Sequence, residues 1–414
     1  GSWARPTVPR LDGYGPVPRL YDTATGHVIE TRQTPVLGIY VCGITPYDAT
    51  HIGHAATYLA FDTLIRLWLD AGHDVHYVQN ATDVDDPLLQ RARATGVDWR
   101  ELAATQIDLF RGDMEALGVI PPDDYVAVTD TIDAAAEAVK RLVDIGIAYP
   151  VGDDLYFDSA AAAIASPWHL GQESGLDRET MLALAAQRGG DPDREGKRDP
   201  LDPVLWRGRI DGDPSWTTVL GDGRPGWHIE CSVIAQQLLE LPIAVNGGGA
   251  DLAFPHHEFT AGHTAALTGH QHAHLWSHVG LVSYQGTPMS KSLGNLVLVS
   301  RLIDQGVDPR AIRLAILSQH YRGGWEWTDA LLESAQARLT SWLAWAPTPG
   351  RRHGTLTQEL RTTLADDLDT PSALARVDAR IAAHQPPGGG DLDAIAALLG
   401  VRLVEYPHSD VCTG

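Results

Sequence analysis

The sequence of 414 residues is 44% hydrophobic and carries a formal net charge of −22, from 31 basic and 53 acidic residues. This length predicts two to three domains, and this hydrophobic share excludes wholesale disorder. The sequence holds no run of about 18 mostly apolar residues, which disfavours a membrane span, and its acidic balance disfavours unspecific binding to nucleic acid.

The three cysteines, Cys42, Cys231 and Cys412, are too few for a disulfide framework. They indicate a reduced, cytoplasmic protein, for which we expect no signal peptide. In such a protein a cysteine is typically a metal ligand, a reactive group or a small buried hydrophobe. Cys412 lies in a polar tail, and we assign it no function.

The first predicted elements form a strand–helix–strand unit. Residues 36–42 are a nearly continuous apolar run and predict a buried strand. Leu64 and Leu67 recur at helical spacing, which predicts a helix over 53–70, and a second strand follows at 74–79. Such a βαβ unit indicates a parallel, doubly wound α/β sheet.

The middle of the chain, from about residue 98 to 225, interrupts this rhythm. A stretch rich in Gly, Pro, Asp and Arg, from 188 to 224, predicts an inserted subdomain that ends in long loops. The α/β pattern then resumes with a helix, a strand, a glycine turn and a second strand, at 229–239, 242–245, 247–249 and 275–283. Beyond about residue 300 only helical patterns follow, and they predict a bundle of four or five helices.

The motif His51-Ile-Gly-His54 lies where the first helix is predicted to begin. A helix N-terminus attracts anions through its free N–H groups and its dipole. Two imidazoles there can donate hydrogen bonds to a triphosphate, and Gly53 allows a nucleotide to approach the backbone. By itself the motif is short enough to be a structural cap.

A second motif, Met289-Ser-Lys-Ser292, lies in a Gly- and Pro-flanked loop. Its lysine, Lys291, can close over a pyrophosphate leaving group, although a lone lysine is more often a surface residue. Together with the upstream histidines, this motif resembles the two-part signature of class I aminoacyl-tRNA synthetases. Pro288 replaces the first lysine that the signature usually has.

Cys42, Cys231 and His256 are candidate metal ligands. Two thiolates and an imidazole suit zinc, but spacing alone leaves open two unrelated core cysteines and a structural histidine. Three scattered ligands without a close cysteine pair indicate an open site. The open position would fit the thiolate of a cysteine substrate and would separate cysteine from serine.

Five segments carry a closer resemblance, to the cysteinyl-tRNA synthetase family: Y-V-C-G-I-T-P-Y-D, H-I-G-H, W-H-I-E-C-S, G-G-G-A-D-L-A-F-P-H-H-E and M-S-K-S-L-G-N. The resemblance runs from about residue 20 to 320. It implies that Cys42, Cys231 and His256 bind one zinc ion, which holds the thiolate of the substrate. It also implies that His51 and His54 stabilise the phosphates of ATP, bound with Mg²⁺, and that Lys291 closes on pyrophosphate.

The resemblance also implies an α/β fold, with a class I synthetase-type Rossmann (HUP-like) catalytic domain, a connective insertion and a C-terminal helical bundle. The predicted parts are an N-terminal segment, the first catalytic half, the insertion, the second catalytic half, the bundle and a tail, at 1–35, 36–115, 116–225, 226–300, 301–405 and 406–414.

A pocket for cysteinyl-adenylate is implied in the same way. Its predicted lining is Cys42, Gly43, Ile44, Thr45, Thr57, Asn80, Ala81, Thr82, Trp227, Gly249, Ala250, Asp251 and Val282. Trp227 also lies one helical turn before Cys231, although core packing is an alternative for it. Asp251 would hold either the ammonium of cysteine or the ribose. The glycines 247–249 suit close approach to a nucleotide or a plain tight turn.

Three features depart from a tRNA ligase. Thr260 stands where the family's tRNA ligases have a fourth zinc ligand, a glutamate. The chain ends soon after the bundle, which leaves little room for an anticodon-binding domain. The loop Gln187-Arg-Gly-Gly-Asp-Pro192 resembles the E-R-G-G-D-P segment of the mycothiol ligases, with Gln187 in place of glutamate. That branch of the family joins cysteine to the amine of glucosaminyl-inositol.

The favoured hypothesis is therefore an ATP-dependent ligase of L-cysteine and glucosaminyl-inositol, monomeric, without tRNA or membrane partners. A first alternative is a short cysteinyl-tRNA synthetase-like enzyme that uses tRNA or another small amine. A second is a catalytically silent, synthetase-like binding protein. We expect His257, Glu258 and His263 either to be structural or to contact the metal ligands from outside, rather than to be ligands themselves, since on a helix His257 points about 100° away from His256.

Overall fold

The computed structural model of the chain describes residues 1–32, 34–47, 50–289, 294–348 and 354–405. A short antiparallel hairpin near the N-terminus pairs β1 (Arg19–Asp22) with β2 (His27–Glu30). The carboxylate of Asp22 ties this hairpin to the main sheet, because it accepts a hydrogen bond from the backbone N–H of Trp276 at 2.9 Å.

The predicted strand–helix–strand unit is confirmed. Strand β3 (Val36–Val41) precedes α1 (Ile52–Asp70), and β4 (Asp74–Ala81) runs parallel to β3. Helix α1 is buried along most of its length, because apolar side chains cover nearly all its faces. The carboxyl ends of β3 and β4 therefore lie side by side, next to the N-terminus of a buried helix.

The parallel sheet continues further along the chain than the sequence predicts. After α2 (Asp86–Thr95) and α3 (Trp99–Ala116), strand β5 (Asp124–Ala127) pairs in parallel with β4. Strand β5 lies within 116–225, the range predicted for the insertion. It is only 4 residues long, and so it does not stand out from the helical patterns around it.

The insertion contains a sheet of its own. Its elements are α4 (Ile132–Asp144), β6 (Ala148–Val151), β7 (Asp154–Phe157), α5 (Ser159–Ala165), α6 (Arg178–Gln187), β8 (Val204–Gly208), β9 (Trp216–Thr218) and β10 (Gly221–Pro225). The strands are antiparallel in the order β6-β7-β8-β10-β9. The prediction of long loops up to residue 224 is therefore wrong for β8, β9 and β10. Their partners include strands far away in sequence, as in the pairing of Leu155 with Trp206, so local composition conceals them.

The α/β pattern resumes with α7 (Trp227–Leu238), β11 (Val245–Gly249), α8 (Glu258–Thr268), β12 (Trp276–Val279), β13 (Val282–Tyr284) and β14 (Thr287–Pro288). The strand predicted at 242–245 begins three residues too early, because the glycines expected in a turn belong to β11. A Cβ on Gly247 would lie 2.2 Å from the ring of Phe61, so glycine is needed where α1 packs on this strand. The strand predicted at 275–283 is in fact two, and only β12 joins the parallel sheet.

The last part of the described chain is mostly helical. Its elements are α9 (Val299–Asp304), α10 (Pro309–Leu317), β15 (Trp325–Trp327), α11 (Asp329–Trp345), α12 (Leu356–Ala365), α13 (Thr370–Ala382) and α14 (Asp391–Ala394). The described residues thus contain six helices here, rather than four or five, and one strand that pairs with β13.

Three buried charged residues join α1 to α10, and we call Asp62, Arg66 and Arg313 the back cluster. The carboxylate of Asp62 accepts hydrogen bonds from Arg66 Nε at 2.8 Å, from Arg313, and from the backbone N–H of Ile120 at 2.8 Å. Burial by itself raises the pKa of Asp62, but the two guanidinium groups outweigh it and hold the pKa below its ordinary value. The cluster therefore joins α1, which packs on the parallel sheet, to α10 of the helical part.

Candidate active site

The candidate site lies at the carboxyl edge of the parallel sheet, whose strand order is β12-β11-β3-β4-β5. Because all five strands point the same way, the residues that follow β3, β4 and β11 meet at this edge. The side chain of Asn80 joins two strand ends, since its Oδ1 accepts the backbone N–H of Gly43 at 2.9 Å. The backbone N–H of Cys42 donates to the carbonyl of Gly247 at 3.0 Å.

Cys42, Cys231 and His256 come together there, and we call them the edge cluster. All three are buried, and their ligand atoms lie within 4.8 Å of one another, so the group can hold a metal ion. His256 Nε2 lies 3.3 Å from the sulfur of Cys231. The three residues come from the end of β3, from α7 and from the turn before α8, which explains why no compact cysteine motif appears in the sequence.

The two thiols of the edge cluster titrate differently. A hydrogen bond from the thiol of Cys42, helped by the His256 imidazole, lowers the pKa of Cys231 well below its ordinary value in spite of burial. Burial raises the pKa of Cys42 instead. One thiolate therefore forms readily in the pair, and a thiolate is the form of cysteine that binds metals.

Neighbouring rings hold His256 in place. Its Nδ1 lies 3.0 Å from Nδ1 of His228, and burial lowers the pKa of His228, so that this ring is neutral at pH 7. Trp227 stacks on His256, with ring centres 4.3 Å apart and planes 21° apart. A partner at one ring nitrogen orients the other nitrogen toward its ligand, here toward the sulfur of Cys231.

His257 contacts the edge cluster from the other side. Its Nε2 lies 3.2 Å from the sulfur of Cys42, and its Nδ1 lies 2.7 Å from Nε2 of His278. His278 is not among the predicted site residues, although it lies in the strand predicted over 275–283; the pairing of β12 with β11 brings it to this edge. His257 and His278 thus orient a candidate ligand, as an outer hydrogen-bonded pair does in many metal sites.

Three other residues near His256 have contacts of their own. The carboxylate of Glu258 accepts hydrogen bonds from the indole of Trp168 and from two backbone N–H groups of the insertion. His263 packs edge-on against Phe157. The hydroxyl of Thr260 donates to the carbonyl of His228 at 3.3 Å. Its hydroxyl thus serves helix packing, and it supplies no carboxylate or thiolate to the edge cluster.

His51 and His54 lie at the N-terminus of α1. His51 caps the helix: its Nδ1 accepts the backbone N–H of His54 at 3.3 Å, and the two rings stack with centres 3.6 Å apart. Burial lowers the pKa of His51 to about 4 and that of His54 well below its ordinary value, so both rings are neutral at pH 7. Nδ1 of His54 is buried without a hydrogen-bond partner among the described residues. A Cβ on Gly53 would lie 2.9 Å from the ring of His51, so this glycine makes room for the cap.

A cavity of about 850 Å³ connects these groups. Its wall contains Cys42, His51 and His54. It also contains eight other predicted pocket residues, which are Gly43, Ile44, Thr45, Thr57, Trp227, Gly249, Asp251 and Val282. Asn80, Ala81, Thr82 and Ala250 are not part of this wall, and their contact with the adenylate stays a prediction. Asn80 and Thr82 are hydrogen-bonded to each other at 3.0 Å and support the strand ends from behind.

The lysine loop reaches the same cavity. Pro288 and Met289 line it. The side chain of Asn295 holds β14 in place, because its amide donates a hydrogen bond to the carbonyl of Pro288 at 3.3 Å. Lys291, the predicted pyrophosphate ligand, lies outside the described residues.

The insertion also supports the site through Arg188, which the sequence analysis noted only as part of a family motif. Its guanidinium donates to the carbonyl of Asp251 at 2.7 Å and to the carbonyl of Phe254. These two carbonyls belong to the turn that carries a predicted adenylate residue and the candidate ligand His256. The loop of 187–192 thus holds this turn against the cavity.

None of the helices in the described residues is long and apolar enough to cross a membrane. The family model of the class I (C) tRNA synthetase catalytic domain matches residues 28–337. An L-cysteine:1D-myo-inositol 2-amino-2-deoxy-alpha-D-glucopyranoside ligase from Clavibacter michiganensis is 59% identical, with 97% of this chain and 98% of the relative covered. A ligase of the same name from Nakamurella multipartita is 53% identical, with coverages of 97% and 100%.

Two solved structures share the fold. Methionyl-tRNA synthetase from Mycobacterium tuberculosis, in complex with methionyl-adenylate, has a TM-score of 0.56 at 18% identity, over 89% of this chain and 82% of that one. A putative arginyl-tRNA synthetase from Campylobacter jejuni has a TM-score of 0.53 at 15% identity, over 90% of each chain. The predicted class I synthetase fold is thereby confirmed. The chain belongs to the class I (C) tRNA synthetase family and, within it, to the L-cysteine:1D-myo-inositol 2-amino-2-deoxy-alpha-D-glucopyranoside ligases.

Proposed function

We propose that this chain ligates L-cysteine to the amine of glucosaminyl-inositol in two ATP-dependent steps. In the first, the carboxylate of cysteine attacks the α-phosphorus of ATP, and pyrophosphate leaves. In the second, the amine attacks the carbonyl of cysteinyl-adenylate, AMP leaves, and the amine loses its proton. One observation carries this proposal: the edge cluster, through Cys42, and the stacked His51–His54 pair open onto one cavity.

The donor set of the edge cluster fits zinc. Cys42, Cys231 and His256 would hold the ion, because two thiols and an imidazole are typical zinc ligands and one thiol of the pair ionises readily. Three protein ligands are also the number found in open zinc sites. A zinc ion bound there supplies a fourth position for the thiolate of the substrate cysteine, which selects cysteine against serine.

The stacked histidines would act on the phosphates of ATP, bound with Mg²⁺. Both rings are neutral, so each keeps one N–H donor, and they sit at a helix N-terminus, where an anion is stabilised. Hydrogen bonds that strengthen as charge moves to the leaving group lower the barrier. Lys291 would contribute in the same way by closing on pyrophosphate.

Binding of cysteinyl-adenylate would use the wall near Trp227, Thr45 and Asp251. The carboxylate of Asp251 is exposed in the cavity and has no side-chain partner in the described part of the chain. It therefore suits the ammonium of cysteine or the hydroxyls of ribose. Holding cysteine by both its sulfur and its ammonium would orient the carboxylate toward ATP, a gain from proximity.

A small acceptor fits the charge of the chain better than tRNA does. The net charge is −22. Six arginines of the helical part form ion pairs with carboxylates: Arg310, Arg313, Arg322, Arg338, Arg361 and Arg380. Paired arginines offer little to the phosphates on which tRNA binding depends.

The test is an acceptor competition. The protein is incubated with ATP, cysteine, glucosaminyl-inositol and cysteine tRNA together, and the cysteinylated product is identified by mass spectrometry. We expect ligated amino sugar and uncharged tRNA. Cysteinylated tRNA would contradict the proposal and would indicate a short cysteinyl-tRNA synthetase. The absence of cysteine-dependent ATP–pyrophosphate exchange would indicate a catalytically silent protein.

A further inference from the structure

The cavity extends well beyond the edge cluster, as far as the insertion. On that side its wall includes Asp85, the N-cap of α2, Gln90 from α2, Gln187 from the end of α6, and Arg207 from β8; we call these four residues the insertion wall. A volume of about 850 Å³ lies near the upper end of the range of about 300–1,000 Å³ for small-molecule pockets. The cavity therefore offers room for an acceptor next to an adenylate.

The polar side chains on this side fall into two groups. Some are already paired: Arg224 with Asp86 at 2.5 Å, and Lys197 with Asp191 at 3.0 Å. Gln90, Gln187 and Arg207, in contrast, have no side-chain hydrogen bond or ion pair within the described ranges. Two amides and a guanidinium that face a cavity without partners can donate to, and in part accept from, the hydroxyls of a ligand.

Asp85 is the carboxylate of the insertion wall. One of its oxygens accepts the backbone N–H of Asp86 at 2.8 Å, and the other has no donor among the residues that the structure describes. Burial raises the pKa of Asp85 to about 6, in spite of nearby Arg224. The second oxygen of this cavity-lining carboxylate is therefore open to a donor from a ligand, and a positively charged donor matches its charge.

We propose that the insertion wall is the binding site of the acceptor, an amine carried on polyhydroxylated rings, with Asp85 receiving the ammonium and Gln187 and Arg207 binding hydroxyls. This assignment rests on the proposed function. It places the acceptor in the same cavity that Cys42 of the edge cluster and Trp227 line, and Trp227 stacks on His256. The charge and the hydrogen-bonding groups of the insertion wall then match the acceptor, whereas the edge cluster matches the thiol of cysteine.

The test uses the variants Asp85→Asn, Gln187→Ala and Arg207→Ala in the complete chain. Asparagine caps a helix as well as aspartate does, so Asp85→Asn removes charge without removing the cap of α2. Asp98→Asn is its matched control, because Asp98 caps α3 and is exposed. Arg209→Ala, two residues along from Arg207 and exposed, controls for the loss of an arginine.

Two rates are measured: ligation at varied concentrations of glucosaminyl-inositol, and cysteine-dependent ATP–pyrophosphate exchange. We expect Asp85→Asn and Arg207→Ala to raise the KM for the acceptor about tenfold or more, since each removes a charged hydrogen-bonding group. Gln187→Ala should raise it about threefold. Exchange should change less than about twofold, and the controls should leave both rates unaltered.

The outcomes separate this assignment from the proposed function. A wild-type chain that exchanges pyrophosphate but never modifies glucosaminyl-inositol would overturn the proposed acceptor. A wild-type chain that ligates normally, with variants whose acceptor KM is unchanged, would overturn the insertion wall alone. A fall in exchange together with a raised KM for cysteine would place these residues at the cysteine side of the cavity and would also overturn the assignment.

Discussion

Helix α1 has buried polar groups at its N-terminus and in its C-terminal half, and the two sets differ in how many of their hydrogen bonds are made. The back cluster is complete: Asp62 accepts three hydrogen bonds, and Arg66 and Arg313 also donate to backbone carbonyls, for example Arg66 to Gly118 at 2.8 Å. At the other end, beside the edge cluster, Nδ1 of His54 is buried without a partner among the described residues. The same helix thus carries one buried polar cluster whose hydrogen bonds are made within the protein, and one buried ring nitrogen that lacks a partner among the described residues.

The difference indicates what each end is for. A buried charge network that satisfies all its members supports a unique packing, whereas buried groups without partners cost stability. A fold tolerates such a cost where a ligand supplies the missing partners. We therefore expect substitutions in the back cluster to reduce stability and substitutions near the edge cluster to reduce chemistry.

The largest effect on chemistry is expected from Cys231→Ala. The variant should lose bound zinc and cysteine-dependent ATP–pyrophosphate exchange together, by at least about 100-fold, because even residues that only orient a metal ligand account for 10–100-fold. Metal content and exchange are measured on the same sample, with Cys412→Ala as the control. Full exchange in a zinc-free Cys231→Ala sample would refute the metal assignment.

The next largest effect is expected from Asp62→Asn, in the back cluster. It leaves Arg66 and Arg313 buried without their carboxylate, which should lower the free energy of unfolding by about 3–5 kcal/mol. Urea unfolding measures this loss, while exchange per folded molecule should stay near the wild-type rate. Asp144→Asn breaks an exposed pair with Lys140 and should cost less than about 1 kcal/mol. An Asp62→Asn variant with wild-type stability but impaired exchange would show that the back cluster serves the chemistry rather than the stability of the fold.

His54→Ala sharpens the comparison from the other end. Loss of this donor to the phosphates should lower the exchange rate on the order of 100-fold, with little change in the urea midpoint. His270, which is exposed, provides the control His270→Ala. If His54→Ala instead unfolded the protein and left kcat intact, this histidine would be a structural cap.

The last expected effect is a dependence of stability on pH, confined to the acid range, through His51. Its folded pKa of about 4 lies below the unfolded value of about 6.5, so between these values the unfolded chain binds more protons. Stability without nucleotide should therefore fall as the pH drops from 6.5 to 4, by about 1.4 kcal/mol per unit from this residue. His51→Gln should reduce the slope of stability against pH in this window only. Equal slopes for the wild-type and variant proteins would contradict the lowered pKa of His51.

Much of the site could be predicted because it lies on elements with clear local signals. The apolar run of β3, the helix that follows His51-Ile-Gly-His54 and the parallel order of the sheet are enough to bring Cys42 and the histidines to one edge. Asn80 shows the limit of such reasoning. The motif places this residue near the site, but it does not reveal that the side chain forms hydrogen bonds with Gly43 and Thr82 at the strand ends.

The sequence by itself determined the class I fold, the family, and the identity of the candidate ligands and histidines, because these depend on local patterns and on short motifs. Only the tertiary structure decided that β8–β10 form a sheet, that Arg188 holds the turn before His256, and that His278 orients His257. Each of these depends on contacts between residues far apart in the chain, which leave no periodic trace in the sequence. For the same reason, the insertion wall, assembled from α2 with its N-cap, the end of α6, and β8, forms only once the chain is folded.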